Sequence, residues 1–263
     1  MLGKLLKYDL KWIYKLISVF YLLALVFSLF SRIFNSIDNS LLFNIVGSIC
    51  NGFAIAMMFS CLINTLMRSW VRFVRNVYKD ESYLTHTLPV SKKDIFLSKV
   101  ISAVIASFTT ILVILICLFI CYYSKVNLDS LKNMLDVFAF TYDTTVIKFI
   151  IILFVVLFLE LLFILLIGYI GIIMGHKSND KKMLKSIVYG FLFYILSMIG
   201  IILIILVIGI FNKDIMNVIN TTSVISLNSI KTLIYLCIGI YTLYNIICYV
   251  VGSKELESGV NIE

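Results

Sequence analysis

A chain of 263 residues that is 62% hydrophobic and 14% charged stands well outside the soluble norm of roughly 25% charged residues. A water-soluble fold has no place to hide that apolar excess, whereas a bilayer accepts it on the outside of every helix. The formal net charge of +8 comes with no nucleic-acid motif, and its distribution along the chain assigns it to the membrane surface instead, with anionic lipid headgroups as the default partner.

At the amino terminus Lys4, Lys7, Lys11 and Lys15 recur at helical spacing, with Leu2, Leu5, Leu6, Leu10 and Ile13 largely away from them. This pattern predicts an amphipathic elbow helix lying along the inner membrane surface before the chain turns into its first span; simple basic flanking of that span is the alternative. The apolar run over 13–30 is longer than a secretory h-region and lacks a small-x-small cleavage site, so it reads as a retained span.

Crossing about 30 Å of hydrocarbon takes roughly 20 helical residues, and six stretches qualify: 13–34, 41–67, 100–123, 149–174, 187–211 and 231–251. The expected fold is therefore an all-α membrane protein, one transmembrane domain over 1–263. The single proline, Pro89, lies outside all six spans, so no span loses a backbone hydrogen bond to it. The six cysteines all fall within apolar runs and none has zinc-type spacing, so they read as small packing residues rather than a disulfide framework.

Lysine and arginine are retained on the cytoplasmic side during insertion. Sixteen of the 22 lie in the amino-terminal segment, 68–99, 175–186 and 252–263. That imbalance predicts a plasma-membrane protein with both termini in the cytoplasm.

The connection 68–99 is longer than a hairpin needs. Arg68, Arg72 and Arg75 repeat at helical spacing, which extends span two into the cytosol by about two turns. After Lys79, Asp80 and Glu81 comes a short segment carrying Tyr83, Leu84 and Leu88, then Pro89. Ser91 with Asp94 three residues on fits a capping box, so a new helix starts there and runs through span three. Apolar side chains on such an elbow point to docking on another protein; dipping of Tyr83, Leu84 and Leu88 into the headgroups is the alternative.

Three pieces of this connection, Asp80-Glu81-x-Tyr83-Leu84, Thr87-Leu88-Pro89-Val90-Ser91 and Ser98-Lys99, resemble the ABC-2 type transporter permeases, and the six-span layout is similar. The resemblance implies that Glu81, Tyr83, Leu84, Leu88, Pro89, Ser91 and Asp94 belong to a coupling helix seated in a groove of a separate ATP-binding subunit. It also implies that ATP and Mg are held by that subunit, that this chain binds no cofactor or metal, and that a second permease chain completes the transport path.

In span four Glu160 is the only charged residue deep inside any span, and burying a carboxylate there costs several kcal/mol unless it is neutral, paired or hydrated. Gly168, Gly171 and Gly175 fall within about 80° of it at 100° per residue, so that face is expected to pack inward, and Glu160 reads either as a protonated structural residue or as part of a substrate path or gate. Asn51, with Asn44 and Asn64, reads as a helix-to-helix hydrogen bond or a path residue, and Asn245 is comparable. The outer segments 124–148 and 212–230 are expected to hold short amphipathic helices; by the resemblance, the second is similar to a re-entrant element.

No G-x-x-x-x-G-K-[ST] loop and no H-E-x-x-H occurs, and the two histidines, His86 and His176, stand in different segments. The chain therefore reads as no enzyme. It is expected to be a permease that exports an amphiphile such as an antimicrobial peptide or lipid, with a membrane sensor or assembly protein lacking a path as the alternative.

Overall fold

The computed structural model describes residues 2–37, 41–141, 144–212, 215–216 and 227–259, and α-helix is the regular structure throughout. In chain order the helices are α1 (Leu2–Asn35), α2 (Leu41–Val77), α3 (Ser82–Thr87), α4 (Lys92–Tyr122), α5 (Lys125–Thr141), α6 (Val146–His176), α7 (Lys182–Phe211) and α8 (Leu227–Ser258). Six of them, all but α3 and α5, contain stretches long and apolar enough to cross a bilayer. The chain is a multi-pass membrane protein.

The expected spans fall on these six helices, with 100–123 ending one residue past α4, and α1, α2, α4 and α8 all extend well past their apolar runs. α2 continues beyond residue 67 to Val77, in keeping with the arginine spacing. α4 begins at Lys92 behind Ser91, whose Oγ accepts from the Asp94 N–H at 3.1 Å while its hydroxyl donates to Asp94 Oδ2 at 2.7 Å. That reciprocal contact satisfies an orphan N–H of the first turn. At 31 residues α4 is about 46 Å long.

α1 departs from expectation. Residues 2–35 form one helix without a break, so no surface-lying elbow is separated from the span. The stretch has no proline, its one glycine is Gly3 at the very start, and Asp9 on the face opposite the lysines is drawn into the protein interior. Nothing local ends the helix.

The helices divide into two compact units, with the division falling within α5. In the first, α1 packs on α2 and α4, and α2 packs on α4. Small side chains help these backbones approach: Ala24, Ala54, Cys61 and Cys117 form a buried cluster with Met58, and Ala106 lies in another with Ile13 and Ile17. Hydroxyls join the helices between them. Tyr14 bonds Thr109 at 2.6 Å, Tyr21 bonds Thr110 at 2.6 Å, and Thr65 bonds Thr110 at 2.8 Å.

In the second unit α6 packs on both α7 and α8. Gly171 and Gly175 are buried and lie against Gly190 and Ser186 of α7, so closely that a Cβ on Gly171 would fall 2.6 Å from Gly190 Cα. The expected close-packing face is therefore filled by α7, while Gly168 is half-buried. All six cysteines are free thiols. The segment 124–148 supplies α5, whereas 213–214 and 217–226, and with them most of the expected second outer element, lie outside the described residues.

Because the backbone of α7 cannot retreat easily, Gly171→Ala is expected to destabilise the folded protein by about 1–3 kcal/mol. Gly239→Ala, where nothing lies within 4 Å of the new methyl, should be neutral or mildly stabilising. Unfolding in mixed micelles, read for both variants, checks the pair.

Candidate functional site

At the end of the first unit where α1 begins, α2 ends and α4 begins, charges are buried together. Asp9 of α1 is 1% exposed and Lys99 of α4 is 2% exposed. Lys99 Nζ donates to both oxygens of Asp9, at 2.6 and 2.8 Å, and Ser98 donates to Oδ2 at 3.2 Å. Arg72 of α2 donates from Nε to Asp9 Oδ1 at 2.8 Å and from Nη1 to Glu81 Oε2 at 2.7 Å. Asn76 completes the network, accepting from Lys99 through Oδ1 and donating to Glu81 at 2.8 Å.

Two carboxylates and two cations balance, so the cluster is neutral although nearly all of it is dry. Each ion has several partners, the condition under which buried charge is tolerated. Through Arg72 it adjoins Trp12 of α1, over which Arg68, Arg72 and Arg75 stand with guanidinium carbons 4.2, 5.5 and 5.8 Å from the ring centroid. Phe73, next to Arg72 in α2, meets Tyr78 and Phe96 edge to face, each pair at 6.1 Å. Glu81 is thus tied directly to α2 and, through Arg72 and Asn76, to α1 and α4.

Glu81 is also the N-cap residue of α3. Its carbonyl accepts from the Thr85 N–H at 3.0 Å and from the Thr85 hydroxyl at 2.9 Å, its own N–H donates to Arg75 O at 3.2 Å, and His86 bonds Val77 O at 3.1 Å. These bonds fix which way α3 faces. Ser82 and Thr85 are buried, while Tyr83 is 74%, Leu84 69% and Leu88 40% exposed. The usual division of an amphipathic helix is reversed, with Ser82 and Thr85 inside and Tyr83 and Leu84 outside. Pro89 and Ser91 are exposed beside them.

The residues singled out from sequence in 68–99 therefore share one platform, though in different roles. Glu81 holds it, Ser91 and Asp94 start the helix behind it, and Tyr83, Leu84, Leu88 and Pro89 form its outer surface. Sequence spacing does not mark Asp9, Arg72, Asn76, Ser98 and Lys99 as a cluster. A local signal existed: Asp9 is the only acidic residue in α1, and it stands between Leu5 and Ile13 one turn either way, on the apolar face.

Glu160 stands near the middle of α6, half-buried, and has no hydrogen bond or ion pair among the described residues. Around it is an aromatic layer. Phe163 of α6 packs at 6.5 Å from Tyr194 of α7 and at 5.7 and 5.5 Å from Tyr241 and Tyr244 of α8, and Tyr241 lies within electrostatic reach of Glu160. Asn245 ties α8 to α6 by donating to Leu159 O at 3.0 Å. Asn51 of α2 donates to the Tyr122 hydroxyl of α4 at 3.2 Å, and Asn64 donates to Ser60 O of its own helix at 2.8 Å. Asn51 and Asn245 are helix-to-helix bonds. Among the described residues no group of His, Cys, Asp and Glu is arranged to hold a metal ion.

No protein-family model, curated protein or solved structure matches this chain.

Removing one partner of the buried pair leaves the other charge stranded. Asp9→Leu is expected to cost about 3–5 kcal/mol, whereas Asp9→Leu with Lys99→Met, which keeps Arg72 paired to Glu81, should recover most of that loss. A double-mutant cycle on unfolding free energies measures it.

Proposed function

We propose that this chain is the membrane-spanning permease subunit of an ATP-driven exporter, in which α3 docks on a separate ATP-binding subunit. The observation that carries this reading is the reversed helix α3. Three apolar side chains stand outward on a segment too polar and too short to enter the bilayer, and its hydrogen bonds hold them there; exposed apolar groups so placed are a surface prepared for a partner.

The buried network gives that surface mechanical consequence. Displacement of α3 by a partner changing shape around ATP would pull on Glu81, and through Arg72, Asn76, Lys99 and Asp9 on three membrane helices at once. Coupling between distant sites travels through such bonded, rigid elements. ATP and Mg are held by the partner. A second permease chain, identical or related, faces this one across the path, and both termini lie in the cytoplasm at the plasma membrane.

An amphiphilic substrate, such as an antimicrobial peptide or a lipid, fits a protein whose helices present so much apolar surface. Glu160, mid-helix within electrostatic reach of Tyr241 and with no counter-cation among the described residues, is the charged group best suited to a role in the path. The resemblance of 80–99 to the ABC-2 type permeases supports the same assignment.

The first test is co-purification of the chain with an ATP-binding-cassette ATPase whose hydrolysis it stimulates; failure to recover such a complex from native membranes overturns the proposal. Leu84→Ala and Leu88→Ala each remove about 2–3 kcal/mol or less of apolar contact, so the double variant should bind the ATPase at least about tenfold more weakly while its unfolding curve is unchanged. Undiminished assembly and stimulation would move the docking surface elsewhere.

Glu160 is tested separately, in the assembled complex. Glu160→Gln keeps the shape and most hydrogen bonding but abolishes ionisation, and Glu160→Ala removes both. If the carboxylate works in the path, Gln stops transport without disturbing assembly. Transport at the normal rate by both variants would remove Glu160 from the path.

A further inference from the structure

The lysines of α1 form a continuous stripe. At 100° per residue Lys4, Lys7, Lys11 and Lys15 fall within about 80° of one another, all four are exposed, and none has an acidic partner among the described residues. Because α1 is unbroken, the same face continues upward, but its chemistry changes. Ser18 is followed by Leu22, Leu29 and Ile33, exposed by 61%, 48% and 52%. Between Lys15 and Leu22 the face passes from basic to apolar, which marks the edge of the hydrocarbon on this helix.

α2 crosses the same boundary. Phe59, Ile63 and Met67 are exposed by 63%, 60% and 50%, and the next residue is Arg68. Its guanidinium lies 4.2 Å from the centre of the Trp12 ring, its Nε is shielded from water without a hydrogen-bond partner, and it has no acidic partner among the described residues. The neighbouring arginines differ: Arg72 is neutralised by Asp9 and Glu81, and Arg75 faces Asp80 at 3.4 Å. Lys11 and Lys15 flank Trp12 along α1, and Arg68 stacks on it from α2. The result is an excess of positive charge around one indole at headgroup depth, directly beneath exposed apolar helix faces.

We infer that Trp12, Arg68, Lys11 and Lys15 form a binding site for the headgroup of an anionic phospholipid, whose acyl chains run along the exposed faces of α1 and α2 above it. The indole holds the guanidinium by cation–π attraction, leaving the terminal N–H donors of Arg68 for the phosphate, and the lysines supply the charge that separates an anionic from a zwitterionic lipid. The site is independent of the exporter assignment, since it rests on α1 and α2 alone.

Trp12 is itself the reporter. The chain has two tryptophans, so Trp70→Phe leaves Trp12 as the sole indole in the full-length protein. Reconstituted into vesicles of phosphatidylglycerol and phosphatidylcholine, with one or the other brominated, Trp12 should be quenched by brominated phosphatidylglycerol at a mole fraction at least about fivefold lower than by brominated phosphatidylcholine. Lys11→Gln, Lys15→Gln and Arg68→Gln together should bring the two lipids to parity, and the exposed lysine pair alone should remove part of the preference without touching the stack. Lys181→Gln with Lys182→Gln, in the basic connection before α7, should leave it intact. Equal quenching of the Trp70→Phe protein by both lipids, or a preference that survives the lysine substitutions unchanged, overturns the site.

Discussion

The Asp9 carboxylate, taken out of water between Lys99 and Arg72, governs the basic end of the first unit. An isolated carboxylate buried to 1% exposure would be intolerable, and so would the cations around it. Each is acceptable only while the others stay in place. That mutual requirement sets the rotation of α1, because Asp9 must face inward and the lysine stripe must then face outward. It sets the separation of α2 and α4, because Arg72, Asn76 and Lys99 must converge on the same point. It also sets the pose of α3, because Glu81 is both the second anion of the cluster and the residue from which α3 starts.

The two units solve the same problem by different means. In lipid, helices gain little from burying apolar surface against each other, so something more specific has to hold them. The first unit uses ions at one end and hydroxyl pairs further along, Tyr14 with Thr109 and Tyr21 and Thr65 with Thr110. The second uses absence of side chain: Gly171 and Gly175 bring α6 against α7, and the aromatic layer around Phe163 fills the space towards α8. Polar pairing and close backbone contact are both directional, and each selects one arrangement where uniform apolar helices would slide.

Much of this was legible in the sequence where the governing physics is local. Apolar runs longer than a bilayer identified the six long helices, the spacing of Arg68, Arg72 and Arg75 carried α2 past its span, and Ser91 with Asp94 marked the start of α4. What was not legible depends on partners far apart. Asp9 shows in the sequence only as a lone acid on the apolar face of α1, and its role appears when Lys99, 90 positions later, is brought beside it. From the lysine pattern alone α1 reads as a surface helix that must turn, whereas residues 2–35 form one unbroken helix. The spacing of Tyr83, Leu84 and Leu88 announced exposed apolar groups, but the reversal of α3 came from Glu81, Thr85 and His86 bonding inward. Glu160 stood out as a lone charge, and its lack of an ion pair among the described residues could only be learned from what α7 and α8 place around it.

The distance along the chain between Asp9 and Lys99 also has a consequence for biosynthesis. A ribosome adding about 5–20 residues per second delivers Lys99 roughly 5 to 20 seconds after Asp9. Arg72 arrives first and offers Asp9 a provisional partner, but the site stays incomplete until α4 begins to emerge. The amino-terminal end of the nascent chain therefore has to remain in contact with water, or with the insertion machinery, while three helices are made. Closure of the dry cluster becomes a late event that certifies all three helices have arrived in the right orientation.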